Sequence, residues 1–387
     1  MTPKPRHTER LPPLGVYIHW PFCARICPYC DFNVFKTRDI DASRWTKSLT
    51  RDLAYWSDRT KGRRLSSLYF GGGTPSLAPI AVIEGVVAAC ADLWGFEPEA
   101  EIALEANPTD AEGARFQNLK SAGINRLSLG VQSFDDGALK FLKRNHSARE
   151  ARGAVDLGLR IFERLTFDLI YALPGETPEA WRAALRGALA IGASHLSLYQ
   201  LTIEPDTPFD RAVRRALFAP PTDDLAADLF DLAQEETARA GLPAYEISNH
   251  ARPGEESRHN FLYWTGGDYL GAGPGAHGRL TIGGERLALE SENRPEAWLA
   301  AVEAAGTGVK AIEALGAEAQ LVERLSMGLR LVRGMEFGPA ERAGLGARTS
   351  RLNDLEAQGL IVIRDGRIGA SPAGRRVLNA VLAELLC

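Results

Sequence analysis

Six short apolar runs punctuate the N-terminal half of the chain: GVYIHW (15–20), SLYFGG (67–72), EIALEA (101–106), RLSLGV (126–131), LTFDLIYAL (165–173) and HLSLYQLTI (195–203). Their length and their β-branched and aromatic content predict buried strands. Between them the apolar positions fall at helical spacing. The stretch 41–58 (DASRWTKSLTRDLAYWSD) predicts a helix capped by Asp41 or Ser43. The stretch 177–192 (TPEAWRAALRGALAIG) predicts another, with Thr177 as N-cap and Pro178 in the first turn. Strands alternating with helices imply βαβ units and a parallel sheet. Six such units fit a barrel, partial or full, or a doubly wound sheet.

Polar residues at the strand ends help to choose. Cys23, Cys27 and Cys30 follow the first strand, and GGGTPS (71–76) ends the second. Glu105 ends the third, Gln132 ends the fourth and Asp168 lies in the fifth. Barrels spread functional groups over the C-terminal ends of successive strands, whereas a doubly wound sheet gathers them at one switch point. An α/β fold with a partial (β/α)6 barrel over residues 15–205 is therefore expected. Residues 206–305 mix a helical stretch (222–241) with the Gly-rich YWTGGDYLGAGPGAHG (263–278) and are expected to form an extension. In residues 306–387 helices flank GLIVIRDGRIGAS (359–371), a hairpin turning at Asp365-Gly366. This end is expected to be a winged-helix-like α+β domain. Residues 1–14 have charge and Pro but no apolar core, and are expected to be a tail and no secretory signal.

Composition narrows the function. With 49 acidic against 45 basic residues the net charge is -4, which argues against bulk nucleic-acid binding. The helical stretch 346–358 pairs two arginines with equal acidic content and shows no basic stripe. No run of about 18 uncharged apolar residues predicts a membrane-spanning helix. The cytosol is the expected compartment, where thiols stay reduced and clustered cysteines point to metal or catalysis. Cys90, in VIEGVVAAC, reads as a buried packing residue, and Cys387 as no prenylation signal.

Cys23, Cys27 and Cys30 have the spacing C-x3-C-x2-C. A structural zinc needs four ligands; His19 could be the fourth, yet no second Cys pair exists. A redox dithiol of Cys27 and Cys30 would leave Cys23 surplus. An iron–sulfur cubane fits best, because three thiolates leave one of its four irons open for chemistry.

With Tyr29 before the last cysteine and the motif just after a first strand, the chain resembles the radical S-adenosylmethionine enzymes. The resemblance implies a [4Fe-4S] cluster whose open iron binds the amino and carboxylate groups of S-adenosylmethionine. GVYIHWPFC, YFGGGTPS, LEANP (104–108), GINRLSLGVQSF (123–134), LKRNH (142–146) and FDLIYALPGET (167–177) are similar to the coproporphyrinogen-dehydrogenase branch. This match implies that Tyr17, Gly72, Gly73, Thr74, Glu105, Gln132, Arg144 and Asp168 contact S-adenosylmethionine. The chemistry suits them: Glu105 and Asp168 accept from hydroxyl or ammonium groups, Gln132 both donates and accepts, and Arg144 forks onto a carboxylate.

That branch holds two functions, oxidative decarboxylation of coproporphyrinogen III and haem carriage by chaperones that hand haem to acceptor proteins. The resemblance implies a further cysteine two positions after the third in the dehydrogenases, and a longer N-terminal extension. Phe32 stands at that position here, and 14 residues precede the first strand. RHNFLYW (258–264) is similar to the chaperones' H-N-x-x-Y-W motif. His259 is thus the leading candidate for haem iron, with Asn260 orienting it and Tyr263 and Trp264 packing on the porphyrin. His250 and His277 are its rivals. The Gly-rich loop 271–278 lacks the Lys-Ser/Thr of a phosphate loop and reads as a close-packed turn. A haem chaperone delivering to respiratory proteins is expected, with the dehydrogenase as the alternative.

Overall fold

The computed structural model describes residues 11–36 and 39–386; most of the expected tail and Cys387 lie outside them. Strands β1 (Leu14–Trp20), β2 (Leu65–Gly72), β3 (Phe96–Ala106), β4 (Arg126–Gln132), β5 (Arg164–Tyr171) and β6 (His195–Gln200) pair in parallel, each with the next in sequence. Each expected strand is present. β3 starts ahead of its apolar run because Phe96 pairs with Leu65 across the sheet.

The parallel core is extended on both sides. β7 (Asn249–Ala251) lies antiparallel to β6. β8 (Asp268–Ala272) runs parallel to β1 on its free side and leads into the antiparallel strands β9 (His277–Ile282), β10 (Glu285–Ser291) and β11 (Val309–Ala314). Among the described residues these strands form one sheet, in the order β11-β10-β9-β8-β1-β2-β3-β4-β5-β6-β7.

Helix caps follow the sequence. Asp41 accepts from the Arg44 amide at 3.0 Å and starts the helix Ala42–Ser57. Thr177 accepts from the Ala180 amide and starts Pro178–Leu189, with Pro178 in the first turn. The helices bury one face on the sheet: Leu49, Leu53 and Trp56 from the first join Val16, Ile18 and Leu68 in the main core. Each such fully buried side chain contributes roughly 1.5–3 kcal/mol. Cys90 is wholly buried and free.

A second, smaller core runs from Leu321 to Leu385. Helices Ala317–Gly328, Pro339–Gly344 and Thr349–Ala357 pack around a sheet ordered β12-β14-β13, of strands β12 (Met335–Glu336), β13 (Ile361–Arg364) and β14 (Arg367–Ala370). The expected hairpin is there. Asp365 and Gly366 both take positive φ, 53° and 71°, as a two-residue turn that follows strand twist requires. β11 belongs to the main sheet, so this core begins beyond it. Arg375 docks the small unit by donating to the Glu246 carbonyl at 2.9 Å and to Gln234 at 3.3 Å.

A cysteine-lined cavity at the strand ends

The C-terminal ends of the parallel strands surround a cavity of about 410 Å³. Cys23, Cys27 and Cys30 line it, with Gly72, Gly73, Thr74, Glu105, Gln132, Arg144 and Asp168. Residues spread over 146 positions of sequence thus meet in one place, as strand-end chemistry predicts. Tyr17 stands apart from this wall. Its hydroxyl lies 3.1 Å from His19 Nδ1, and its ring stacks behind the cavity on Tyr69.

The GGGTP segment is held by backbone. The Gly73 amide donates to the Trp20 carbonyl at 2.7 Å and the Thr74 amide to the Phe22 carbonyl at 2.9 Å. A Cβ on Gly73 would fall 2.6 Å from the Phe22 oxygen, and one on Gly72, at φ +105°, would strike the His19 ring. Only glycine permits this approach.

The three thiols are free and face the same cavity. Two donors are already aimed at them: Arg144 at Cys27 Sγ (3.1 Å) and the Thr74 hydroxyl at Cys23 Sγ (3.6 Å). Among the described residues no three His, Cys, Asp or Glu side chains sit close enough to hold a single metal ion. The zinc reading also loses its fourth ligand, because His19 spends both ring nitrogens on Tyr17 and the Asn33 carbonyl. Thiolates spread around a cavity suit a cluster of several irons. Burial pushes the Cys23 thiol up and the Cys30 thiol up to about 11, so metal binding must displace their protons.

Polar groups on the wall await a partner. Gln132 ends β4 at a register shift, at φ 68°, and its Oε1 is buried with no hydrogen bond. A strained backbone and an orphaned acceptor at one residue mark a ligand site. The Nε of Arg144 is likewise buried and unpartnered. Burial, and then the charge of Asp168, pushes Glu105 up to about 7; burial pushes Asp168 up to about 6. A cationic or hydroxyl-bearing ligand would relieve both. Asn107, in the LEANP motif, is a wall residue that the sequence reading passed over. It accepts from Arg144 at 2.5 Å and donates to Thr74 at 3.2 Å.

RHNFLYW forms the short helix Arg258–Trp264 behind the cavity. His259 is 2% exposed, with Nδ1 3.0 Å from Ser67 Oγ and Nε2 2.8 Å from the Tyr263 hydroxyl. Neither nitrogen is free for iron in this arrangement, and Asn260 is bonded through its backbone to Ser257 and makes no bond to the ring. His250 is buried too, its Nδ1 on Thr237. Among the described residues His277 is the one exposed histidine. The Gly-rich loop before it is a close-packed turn: a Cβ at Gly273 would meet the His19 carbonyl at 2.3 Å.

A parallel sheet whose strand ends gather three cysteines, a glycine shelf and polar groups lacking partners defines a radical S-adenosylmethionine domain. Residues 17–187 match the model of the radical SAM superfamily, and the chain belongs to that family. The heme chaperone HemW of Haemophilus influenzae is 41% identical over 75% of this chain and 76% of its own. That of Mycobacterium tuberculosis is 34% identical over 97% and 95%. A cattle protein, radical S-adenosyl methionine domain-containing protein 1, mitochondrial, is 36% identical over 96% and 87%. The solved structure of coproporphyrinogen III oxidase (HemN) from Escherichia coli superposes with a TM-score of 0.81, covering 97% of this chain and 90% of that one. At 22% identity it shares the fold. Membership of the family implies a [4Fe-4S] cluster and S-adenosylmethionine, and the thiols and wall described above fit both.

Proposed function

We propose that this chain is a haem chaperone, binding haem beside a cluster on Cys23, Cys27 and Cys30 and passing it to haem-accepting proteins, respiratory ones among them. When bound, cluster and S-adenosylmethionine would supply one-electron chemistry. The residues of the chain do the holding: Arg144 takes the carboxylate, the 72–74 shelf faces the amino group, and Glu105, Gln132 and Asp168 take hydroxyls or ammonium.

The observation that carries this reading is Phe32. It stands 61% exposed on the cavity lining, two residues after Cys30. Ile26 and Tyr199 are exposed on the same lining, with Arg25 and Lys143 beside them. An apolar lip flanked by cations suits a flat porphyrin carrying propionates. The resemblance puts a cysteine at this position in the porphyrinogen-oxidising enzymes, and this chain has none. The bacterial relatives known as heme chaperone HemW support the same reading.

His277 is the better iron ligand in this proposal. It is exposed, and the turn before it packs against Asn33, next to Phe32. His259 would first have to release Ser67 or Tyr263. A cytosolic location is part of the proposal; relatives named mitochondrial and bacterial share the family. Among the described residues no helix is long and apolar enough to cross a membrane.

Haem titration of the cluster-loaded protein tests the reading. A saturable Soret band near one-to-one stoichiometry is expected, weakened in His277→Ala. Incubation with coproporphyrinogen III, reductant and S-adenosylmethionine should give no protoporphyrinogen. Failure to bind haem would overturn the chaperone reading, and turnover would establish the dehydrogenase.

A further inference from the structure

We infer that His259 is a positioning residue for the cavity, holding Tyr69 and through it the Glu105 carboxylate on the cavity wall. This rests on the reading that the cavity takes S-adenosylmethionine. The chain of contacts runs unbroken from a buried ion-pair group to the wall. Glu101, almost wholly buried, pairs with Arg126 (3.3 Å) and Arg164 (3.2 Å). Its other oxygen accepts from the Ser257 hydroxyl and the His259 amide, each at 3.2 Å, and so fixes the start of the helix Arg258–Trp264.

From that anchor the His259 ring reaches between elements. It is locked in plane by Ser67 on one nitrogen and Tyr263 on the other. Its face stacks on Tyr69 with ring centres 4.7 Å apart at 15°. Tyr69 can therefore present its hydroxyl in one direction, and it donates to Glu105 Oε1 at 2.9 Å. The second Glu105 oxygen accepts from the Gly72 amide at 3.2 Å. Both Gly72 and Glu105 line the cavity. A carboxylate held at both oxygens presents a fixed acceptor, and groups that orient a binding residue typically change affinity tenfold or more.

The test is a double-mutant cycle read as S-adenosylmethionine affinity on cluster-loaded protein. Tyr69→Phe keeps the ring and loses only the bond to Glu105; a loss of about tenfold is expected. His259→Ala should lose a similar amount, and the double variant no more than either alone. His259→Phe, which restores a ring over Tyr69, should recover most of the affinity. The haem Soret band should be unchanged in all of them. Independent, multiplicative losses overturn the inference. So does wild-type affinity in His259→Ala, or loss of the Soret band there with S-adenosylmethionine binding intact. A wild-type protein that binds no S-adenosylmethionine would instead sink the reading of the cavity itself. If His259→Ala fails to fold, wild-type affinity in Tyr69→Phe alone is enough to overturn the inference.

Discussion

His259 and Tyr263 stand one turn apart on the helix Arg258–Trp264, and the imidazole Nε2 meets the phenol oxygen at 2.8 Å. Two residues of one short motif thus satisfy each other in the interior, instead of facing outward to a ligand. The pairing has a consequence in acid. Burial drives the His259 ring down to about 3 from its ordinary value near 6.5. The folded state then binds fewer protons than the unfolded chain below pH 6.5. Stability is complete above that point and is lost as pH falls towards 3, by about 1.4 kcal/mol per pH unit. Urea unfolding of wild type and His259→Gln at several pH values should show this slope in their difference. A difference independent of pH would show that the ring titrates as if free.

Asp52 acts in the opposite sense. It lies buried in the helix Ala42–Ser57, one oxygen accepting from the Gly308 amide at 3.3 Å and the other unpartnered. Burial pushes it up to about 7 from 3.8. The folded state holds this proton more tightly, so stability falls as pH rises from about 4 to 7 and is flat beyond. Asp52→Asn should be more stable than wild type at pH 8, on the order of 3–4 kcal/mol, with the gain gone by about pH 4. Denaturant midpoints at the two pH values decide it. Because Asp52 and His259 oppose each other, the wild-type profile alone would hide both.

Ligand affinity carries its own pH signature. Glu105 and Asp168 accept most strongly from hydroxyl or ammonium groups when ionised, and they are pushed up to about 7 and about 6. Affinity for S-adenosylmethionine should rise between about pH 5.5 and 8, by up to about tenfold per unit for each proton that must leave. Equilibrium binding on cluster-loaded protein measures it. Glu105→Gln should remove the upper part of the rise, and an unchanged profile would detach this carboxyl from the ligand.

Two glycines make a matched pair. Gly73→Ala places a methyl 2.6 Å from the Phe22 carbonyl, so the shelf must move. S-adenosylmethionine affinity should fall tenfold or more while the C-terminal unit keeps its stability. Gly187→Ala, in an open part of the helix Pro178–Leu189, meets nothing within 4 Å. It should leave affinity alone and stabilise by about 0.5–1 kcal/mol, read as a small rise in Tm.

The sheet's parallel strands and the cavity residues were legible because their signals are local. An apolar run, a glycine shelf and a cysteine triplet each sit within a few residues. What escaped was set by distant pairing. Nothing near Leu14 or Asp268 announces that β1 and β8 lie side by side, yet that pairing puts Gly273 against His19. Tyr17 carries a motif residue's signature but is absent from the lining: it shares the wall's face of the sheet, yet its ring stacks on Tyr69 and its hydroxyl lies against His19. The inward turn of His259 did leave a trace: His and Tyr four apart on a helix are neighbours. That spacing competed with an equally apt reading of imidazole and aromatics as a porphyrin seat.

The position of β8 also bears on when the cluster can be installed. Asn33, just past the cysteines, donates to the carbonyls of Pro274 (3.0 Å) and Asn293 (2.8 Å), some 241 and 260 residues further along. On a ribosome adding about 5–20 residues per second, the cysteine loop emerges roughly 12–50 s before its fastener exists. For that interval the three thiols belong to an unlatched loop. Iron and sulfide delivered during synthesis would meet an open site, and later delivery would meet one already strapped down.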